Sequence, residues 1–221
     1  MTRGFFVTGT DTGVGKTVVS AALMIRLRTS APLRYWKPIQ TGIEQDDDTA
    51  TVKLLAGCSE DELLTSGVRL RRPVSPHLAA RLSGSTIDLP PLEDAFNEAA
   101  RSARLIVEGA GGVLVPVNDI QFIVDLMARL DLPTVIVARS TLGTINHTLL
   151  TIDALHRRSL TIAGVVMVGM PDADNRSAIE QYGGVSVLGE MPMYEALTPD
   201  VLSVWASTQF DRRNVLAEML R

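Results

Sequence analysis

The sequence has little of what several protein classes require. It contains one cysteine, Cys58, which excludes an intrachain disulfide or a thiolate zinc cluster, and we interpret it as a structural residue after a helix end. No apolar run approaches the roughly 18 residues of a membrane span, and the start shows no secretion signal. The net charge of −4 gives no basic surface for nucleic acid. These absences favour a cytoplasmic protein that binds small molecules, with no membrane or nucleic-acid partner.

Short apolar runs alternate with longer amphipathic stretches. Runs rich in Val and Ile without polar alternation are typical of strands buried on both faces; they cover 5–8, 35–39, 105–108, 134–138, 162–168 and 185–189. Helical patterns cover 17–28, 49–55, 92–102, 122–129, 146–157, 175–182 and 199–220. This order predicts an α/β fold, a doubly wound and mostly parallel sheet with helices on both faces, in one domain over 1–221.

One stretch, 66–91, interrupts the alternation. It carries four prolines, Pro73, Pro76, Pro90 and Pro91, which would suit a linker. It also contains an amphipathic segment, "RPVSPHLAARLSG", which a linker would not need. We therefore interpret the stretch as an insertion near the functional site.

The segment "TGTDTGVGKT" (8–17) has the features of a phosphate-binding loop. It lies between a predicted strand and a predicted helix, so the helix N-terminus adds partial positive charge for phosphate. Gly13 and Gly15 allow a close approach of the backbone. Lys16 can reach the β- and γ-phosphates, and the Thr17 hydroxyl can bind Mg²⁺. The loop therefore predicts a P-loop NTPase-like nucleotide site.

Two positions of this loop depart from familiar patterns. The usual motif has glycine where this chain has Thr10, and we expect Gly9 to make the first turn instead. Partitioning and septum-site ATPases carry a second lysine where this chain has Asp11. That lysine reaches the nucleotide of a partner subunit, which an aspartate cannot do. A nucleotide-switch ATPase that acts on protein partners is therefore the less favoured alternative.

A lysine and a hydroxyl follow the second predicted strand in "YWKPIQTG" (35–42). Ligands of open α/β sheets bind beyond the carboxyl ends of the strands, so Lys37 is expected beside the phosphate loop. Pro38 fixes the turn after Lys37. Thr41 and Gly42 offer a hydroxyl and an accessible backbone.

Two carboxylates complete the expected site. Asp46 and Asp47 are interpreted as solvated loop, whereas Asp48 opens a helix, where it can cap the helix and turn inward. Glu108 ends a strand and is followed by the glycine-rich segment 109–112, which permits a second backbone approach. With the loop threonine, these carboxylates supply the hard oxygen ligands that Mg²⁺ prefers.

Four segments together resemble one known family. "GTDTGVGKT", "KPIQTG", "VEGAGG" and "LGTINH" occur here in the order in which dethiobiotin synthetases carry them, and the likeness runs from Phe6 to about Pro192. The resemblance implies a homodimer with one doubly wound domain per subunit. It also implies a ligase that joins CO₂ to 7,8-diaminopelargonic acid at the expense of ATP, with Mg²⁺.

The resemblance also implies roles for individual residues. Lys37 matches the active-site lysine, Lys16 is the second catalytic cation, and Thr41 touches the substrate. The Mg²⁺ ligands would be Thr17, Asp48 and Glu108. The nucleotide would be bound by Gly13, Val14, Gly15, Lys16, Thr17, Val18, Asp48, Glu108, Gly109, Ala110, Gly111, Val168, Gly169 and Pro192. The distant substrate carboxylate would be bound across the dimer interface by Gly143, Thr144, Ile145 and Asn146.

One departure and one alternative stay open at this point. Some members of the family carry Asn-Asp where this chain has Val168-Gly169, and there the asparagine amide pairs with adenine. A related enzyme class, the cobyrinic or cobyric acid amide ligases, shares the ATP domain but uses a glutaminase domain with a catalytic cysteine. The one cysteine here lies in the first third of the sequence. No catalytic role is assigned to His77, His147 or His156.

Overall fold

The chain folds around a seven-stranded parallel sheet. The computed structural model describes residues 2–29 and 31–220. The strands are β1 (Gly4–Gly9), β2 (Leu33–Trp36), β3 (Ile39–Thr41), β4 (Leu63–Leu64), β5 (Val68–Leu70), β6 (Arg104–Gly112), β7 (Thr134–Arg139), β8 (Ile162–Val168) and β9 (Val187–Met191). The helices are α1 (Lys16–Leu27), α2 (Asp48–Ala56), α3 (Pro76–Leu82), α4 (Leu89–Ala99), α5 (Ile123–Leu130), α6 (Thr144–His156), α7 (Ala173–Gly183), α8 (Pro199–Thr208) and α9 (Val215–Met219), with a short 3-10 helix at Glu60–Glu62.

Seven strands form the main sheet in the order β4-β2-β6-β1-β7-β8-β9. Every neighbouring pair in it is parallel, so the carboxyl ends of all seven strands meet at one edge. Strands β3 and β5 form a separate parallel pair. The predicted doubly wound parallel architecture is confirmed.

Helices cover both faces of the sheet, and each face has its own apolar core. Leu23 of α1 and Leu202 of α8 belong to one cluster, whereas Phe96 of α4 and Ile152 of α6 belong to the other. Along β1, Phe5 and Val7 point into the first cluster and Phe6 into the second. A strand buried on both faces needs apolar residues at every position, which explains why its sequence lacks alternation.

The prediction of one strand over 35–39 is wrong in a way that matters for the site. Strand β2 ends at Trp36, and β3 begins at Ile39 in the other sheet. Pro38 has no N–H to donate to a ladder, so the strand leaves the sheet at that point. The freed carbonyl of Lys37 accepts a hydrogen bond of 2.8 Å from Arg69. Lys37 therefore lies in a break between two strands rather than inside one.

The predicted helix over 199–220 is wrong as well, because it is two helices. Asp211 and Asn214 between α8 and α9 have positive φ angles of 47° and 56°, which a continuous helix cannot contain. The Asp211 carboxylate accepts hydrogen bonds from the N–H groups of Val215 at 2.8 Å and Leu216 at 3.1 Å, and so stabilises the first turn of α9, whose N-cap residue is Asn214.

Several predicted boundaries shift by two to four residues. Helix α4 begins at Leu89 rather than 92, because Pro90 and Pro91 fit the first turn of a helix. Strand β9 lies two residues later than predicted, at Val187–Met191, and β6 continues to Gly112 rather than ending at Glu108. The pattern also gave no sign of β4 and β5.

The stretch 66–91 forms a wall of the sheet edge. It contains β5, α3 and the start of α4, and its Ala79 and Ala80 are buried in the core shared with α4.

Among the described residues, no helix is both long and apolar enough to cross a membrane.

Candidate active site

The glycines of the loop between β1 and α1 have distinct structural reasons. Gly13 and Gly15 adopt positive φ angles of 69° and 98°, which favour glycine. Gly9 does not, but a Cβ there would lie 2.7 Å from Val14 Cγ2 and 2.8 Å from the Asp11 carbonyl oxygen. Close approach therefore requires glycine at position 9, and Thr10 is tolerated. The start of α1 has no side-chain cap, so its first N–H groups remain available for a phosphate.

Lys16 lies buried over this loop. Its Nζ donates to the Asp11 carbonyl at 3.0 Å. Burial lowers the pKa of Lys16, and the nearby Lys37 lowers it further. An anionic phosphate would offset both effects. The Asp11 carboxylate accepts from the Thr12 N–H at 2.7 Å and pairs with Arg139 at 2.9 Å. Asp11 thus orders the loop.

Lys37 forms the centre of a buried ion cluster. Its Nζ donates to Asp48 Oδ2 at 2.6 Å, Glu108 Oε1 at 2.9 Å and the Gly109 carbonyl at 3.0 Å. Only 4% of the Lys37 side chain is exposed. Burial favours the neutral amine, but Glu108 and Asp48 outweigh it and raise the pKa of Lys37. The lysine is therefore held as a cation at the carboxyl edge of the sheet.

A hydroxyl lies between the same two carboxylates. Thr17 Oγ1 is 2.7 Å from Asp48 Oδ1 and 3.0 Å from Glu108 Oε1. One hydroxyl proton serves only one of these oxygens at a time, so the carboxylates keep unused acceptor capacity at this point. Burial would raise the pKa of Asp48, but Lys37 and the hydrogen bonds from Lys37 and Thr17 lower it overall. Three oxygens thus converge where a hard cation would fit.

The sequence assigned the helix cap to the wrong aspartate. Asp47 caps α2 by accepting from the Ala50 N–H at 3.1 Å, whereas Asp48 is the first helical residue and turns inward. Among the described residues, no group of three or more His, Cys, Asp or Glu side chains could hold a metal ion. A cation here would depend on Thr17, two carboxylates and ligands from outside the protein.

A cleft of about 770 Å³ opens above these groups. Most of the predicted site residues line it together: Gly13, Gly15, Lys16, Thr17, Val18, Lys37, Thr41, Asp48, Glu108, Ala110 and Gly111. Gly109 contributes its carbonyl to Lys37, and Val14 is buried in the core beneath the loop. Residues from the P-loop, the first turn of α1, the start of α2, the break after β2, and strands β3 and β6 thus meet at one edge.

Three predicted nucleotide residues lie beside the cleft rather than in its wall. A Cβ at Gly15 would be 3.3 Å from both γ carbons of Val168, so the end of β8 lies against the P-loop. The Gly169 N–H donates to the Met191 carbonyl at 2.9 Å, and Pro192 follows directly. The carboxyl ends of β8 and β9 are therefore neighbours of the phosphate loop.

The segment Gly143–Asn146 does not line the cleft. It starts α6 with Gly143 at φ 94° and with no side-chain cap. Gly143 is the N-cap residue of α6, which begins two residues before the predicted start at 146, and Asn146 lies in its first turn. The first turn of α6 therefore presents backbone N–H groups, with the adjacent Leu142 exposed.

Sequence reasoning missed several residues of the site. Tyr35 donates its hydroxyl to Glu108 Oε2 at 2.9 Å, from inside an apolar run that gave no sign of this contact. Gln40 and the segment 73–76 line the cleft. The only sequence signal for this segment was Pro73 and Pro76, which belong to the stretch that we interpreted as an insertion near the site.

Known proteins share this fold. A family model described as an AAA domain matches residues 3–201. A ParA family ATPase from Chlorobium tepidum has a TM-score of 0.58 at 11% identity, over 92% of this chain and 97% of its own. The cell division ATPase MinD from Pyrococcus furiosus has a TM-score of 0.57 at 16% identity, over 98% and 99%. Fold and loop together define a P-loop nucleotide-binding protein.

Relatives with similar sequences show to which family of P-loop proteins the chain belongs. The ATP-dependent dethiobiotin synthetase BioD of Paramagnetospirillum magneticum is 49% identical over 200 residues, which is 89% of this chain and 91% of the relative. That of Agrobacterium fabrum is 43% identical over 206 residues, which is 91% and 92%. The chain belongs to the family of ATP-dependent dethiobiotin synthetases. The alternatives of a nucleotide-switch ATPase or an amide ligase are not favoured, because these relatives, at 43% and 49% identity over about 90% of the chain, are dethiobiotin synthetases. The likeness to ParA and MinD shows the fold alone.

We expect relaxed nucleotide choice in this chain. The Val168 side chain can neither donate nor accept a hydrogen bond, and the Gly169 N–H is already used by Met191. The nucleotide base would then be recognised by the remaining backbone groups or by the segment after Pro192. Each lost hydrogen bond is worth only about 0.5–1.5 kcal/mol, so CTP, GTP and UTP should support turnover within roughly two orders of magnitude of ATP.

Measurement of kcat/KM for the four nucleotides checks this expectation. Val168→Asn should shift preference toward ATP, while Val204→Asn, on the exposed side of α8, should not. Strict dependence on ATP in the unchanged protein would show that another residue reads the base.

Proposed function

We propose that this chain synthesises dethiobiotin from 7,8-diaminopelargonic acid, CO₂ and ATP. The observation that carries the proposal is the buried Lys37 ammonium, 2.6 Å from Asp48 and 2.9 Å from Glu108 beside a P-loop. Membership of the family of ATP-dependent dethiobiotin synthetases supports the reaction and makes ATP a co-substrate. The enzyme is an ATP-dependent ligase.

The reaction proceeds through two activated forms of the substrate. One amine adds to CO₂, loses a proton and becomes a carbamate. A carbamate oxygen attacks the γ-phosphorus of ATP, ADP leaves, and a carbamic-phosphoric anhydride results. The second amine attacks the carbonyl carbon and loses a proton, and phosphate leaves as the ureido ring closes. Since the substrate supplies both nucleophiles, the protein needs to position groups and stabilise charge.

Lys16 and Lys37 are the cations proposed to do this. Lys16 uses one hydrogen bond to the Asp11 carbonyl, which leaves donors for the β- and γ-phosphates. All three hydrogens of Lys37 face protein oxygens. Direct contact with a carbamate oxygen therefore requires the exchange of one of these bonds. Until then, Lys37 stabilises developing negative charge through its field.

Thr17, Asp48 and Glu108 are the proposed ligands of Mg²⁺. The carboxylate oxygens of Asp48 and Glu108 lie 2.7 and 3.0 Å from the Thr17 hydroxyl oxygen and have acceptor capacity to spare. The ion, when bound with ATP, neutralises charge on the β- and γ-phosphates. Two carboxylates and one hydroxyl suit Mg²⁺, which keeps waters and phosphate oxygens in its shell.

The diamine is proposed to lie between Thr41 and the wall formed by 73–76, both of which line the cleft. Its distant carboxylate would bind the backbone of Gly143–Asn146. In this chain that segment lies outside the cleft, which supports a homodimer in which a second subunit supplies it. The exposed apolar side chains Leu142 and Leu150 beside it support a protein interface.

We further propose that residues 1–221 act as one P-loop ligase domain. The family model covers residues 3–201 of it. The cytoplasm, where ATP and CO₂ are both supplied, is the proposed compartment. No membrane or nucleic-acid partner is part of this proposal.

ADP formation should require both the diamine and CO₂, and it should depend on Lys37. Lys37→Ala should lose ~10²–10³ in kcat because it removes charge stabilisation at the reacting centre. The same substitution should also lower the free energy of unfolding by roughly 3–5 kcal/mol, because two carboxylates remain buried without their cation. Turnover assays and thermal unfolding measure the two effects separately.

Lys37→Gln should lose nearly as much activity, since it keeps the length but not the charge. The matched control is Lys53→Ala, which removes a half-exposed lysine of α2 paired with Glu60. Near-normal turnover in Lys37→Ala would refute the assignment of Lys37. Hydrolysis of ATP without the diamine, at the full rate, would instead contradict the proposed reaction.

Thr17→Val and Glu108→Gln should each raise the Mg²⁺ concentration needed for half-maximal activity. Each removes a ligand oxygen or a charge, and we expect a shift of about tenfold. Asp48→Asn should act in the same direction. Asp47→Asn is the control, because asparagine preserves the cap of α2. A magnesium titration that is unmoved in both Thr17→Val and Glu108→Gln would mean that other residues bind the ion.

The shared site predicts complementation between two inactive variants. Asn146→Asp should block the substrate carboxylate by like charge at an exposed position, and Lys37→Ala should block catalysis. When equal amounts of the two variants exchange subunits at random, about half of the dimers contain one subunit of each variant. Each such dimer has one intact site of two, so the mixture should recover about a quarter of normal activity. Absence of recovery, with exchange shown by a labelled subunit, would argue that each subunit is self-sufficient.

A further inference from the structure

A buried phenol lies behind the carboxylate cluster. Tyr35 is fully buried in β2, and its hydroxyl donates to Glu108 Oε2 at 2.9 Å. In the sheet, Tyr35 pairs with Ile106, and Glu108 follows two residues along β6, on the same face. The ring therefore runs along the sheet to the carboxylate. Tyr35 does not line the cleft.

The two oxygens of Glu108 have different surroundings. Oε1 faces Lys37 at 2.9 Å and Thr17 at 3.0 Å, on the side of the cleft. Among the contacts of the described residues, Oε2 receives only the Tyr35 hydroxyl. Since the Glu108 side chain is 1% exposed, water does not replace that bond. Rotation of the carboxylate would leave one buried oxygen without a donor, so Tyr35 keeps Oε1 directed at the cleft.

We propose that Tyr35 is a positioning residue, whose hydroxyl fixes the Glu108 carboxylate in the orientation that binds the metal of the Mg²⁺–nucleotide complex. This rests on the proposed role of Glu108 as a metal ligand. Hydrogen-bond partners behind a ligating carboxylate hold its orientation, and their loss typically costs metal affinity. Tyr35 acts through Glu108 and has no contact of its own with the cleft.

The ring and the hydroxyl of Tyr35 have separable functions. The ring belongs to the apolar cluster with Ile106 and Leu23 and fills the core. Tyr35→Phe keeps that ring and removes only the donor. A purely structural residue would change the melting temperature of the protein and leave its metal affinity unmoved.

The test is a Mn²⁺ titration followed by EPR in the presence of ADP, together with the Mg²⁺ dependence of turnover. Tyr35→Phe should raise both midpoints about tenfold, at the lower end of such effects. Tyr182→Phe, an exposed tyrosine of α7, is the control and should move neither. In a Glu108→Gln background, Tyr35→Phe should add no further shift, because its effect passes through the carboxylate.

The outcomes separate this proposal from the proposed function. If Glu108→Gln shifts the midpoints and Tyr35→Phe does not, the role of Tyr35 is overturned while the metal site stands. If Glu108→Gln shifts neither midpoint, Glu108 is not a metal ligand, and the role of Tyr35 is overturned with it. If Tyr35→Phe fails to fold, the test is made on the wild-type protein by NMR. The Tyr35 hydroxyl proton should give a signal that is protected from exchange with water and that persists when Mg²⁺ and ADP bind. Loss of that signal on binding would overturn the proposal.

Discussion

The site depends on one interaction, the buried contact of the Lys37 ammonium with Asp48 and Glu108. A charge so far from water is stable only when paired, and each partner comes from a different element. Glu108 ends the apolar part of β6, Asp48 starts α2, and Thr17 of α1 lies between them. Displacement of any of these elements would leave a buried charge or acceptor unpaired. The cluster therefore joins the start of α1, directly after the phosphate loop, to the start of α2 and the end of the apolar part of β6.

The break after β2 makes this cluster possible. A continuous strand would keep Lys37 within the ladder, whereas Pro38 ends it and lets β3 pair with β5. Arg69 of β5 satisfies the carbonyl of Lys37 at 2.8 Å, so the inserted wall also holds the lysine backbone. The stretch 66–91 is thus part of the support of the site as well as its boundary.

A shared fold does not by itself show a shared function. ParA and MinD superpose on the chain with TM-scores of 0.58 and 0.57 but with only 11% and 16% identity. At the sheet edge of this chain, Asp11 of the loop is paired with Arg139 at the end of β7, and Lys37 is buried against Asp48 and Glu108. A fold of this kind positions such side chains, and function depends on which side chains it positions.

The sequence by itself determined the fold class and most members of the site. Strands buried on both faces need continuous apolar residues, and a phosphate loop needs its glycines and lysine, so both leave a local pattern. The motifs after each strand also placed Lys37, Asp48 and Glu108 at one edge. Only the tertiary structure decided which atoms meet, because those contacts join residues far apart in sequence. The Tyr35 and Lys37 bonds to Glu108 span 73 and 71 residues, and no local periodicity encodes such a pairing.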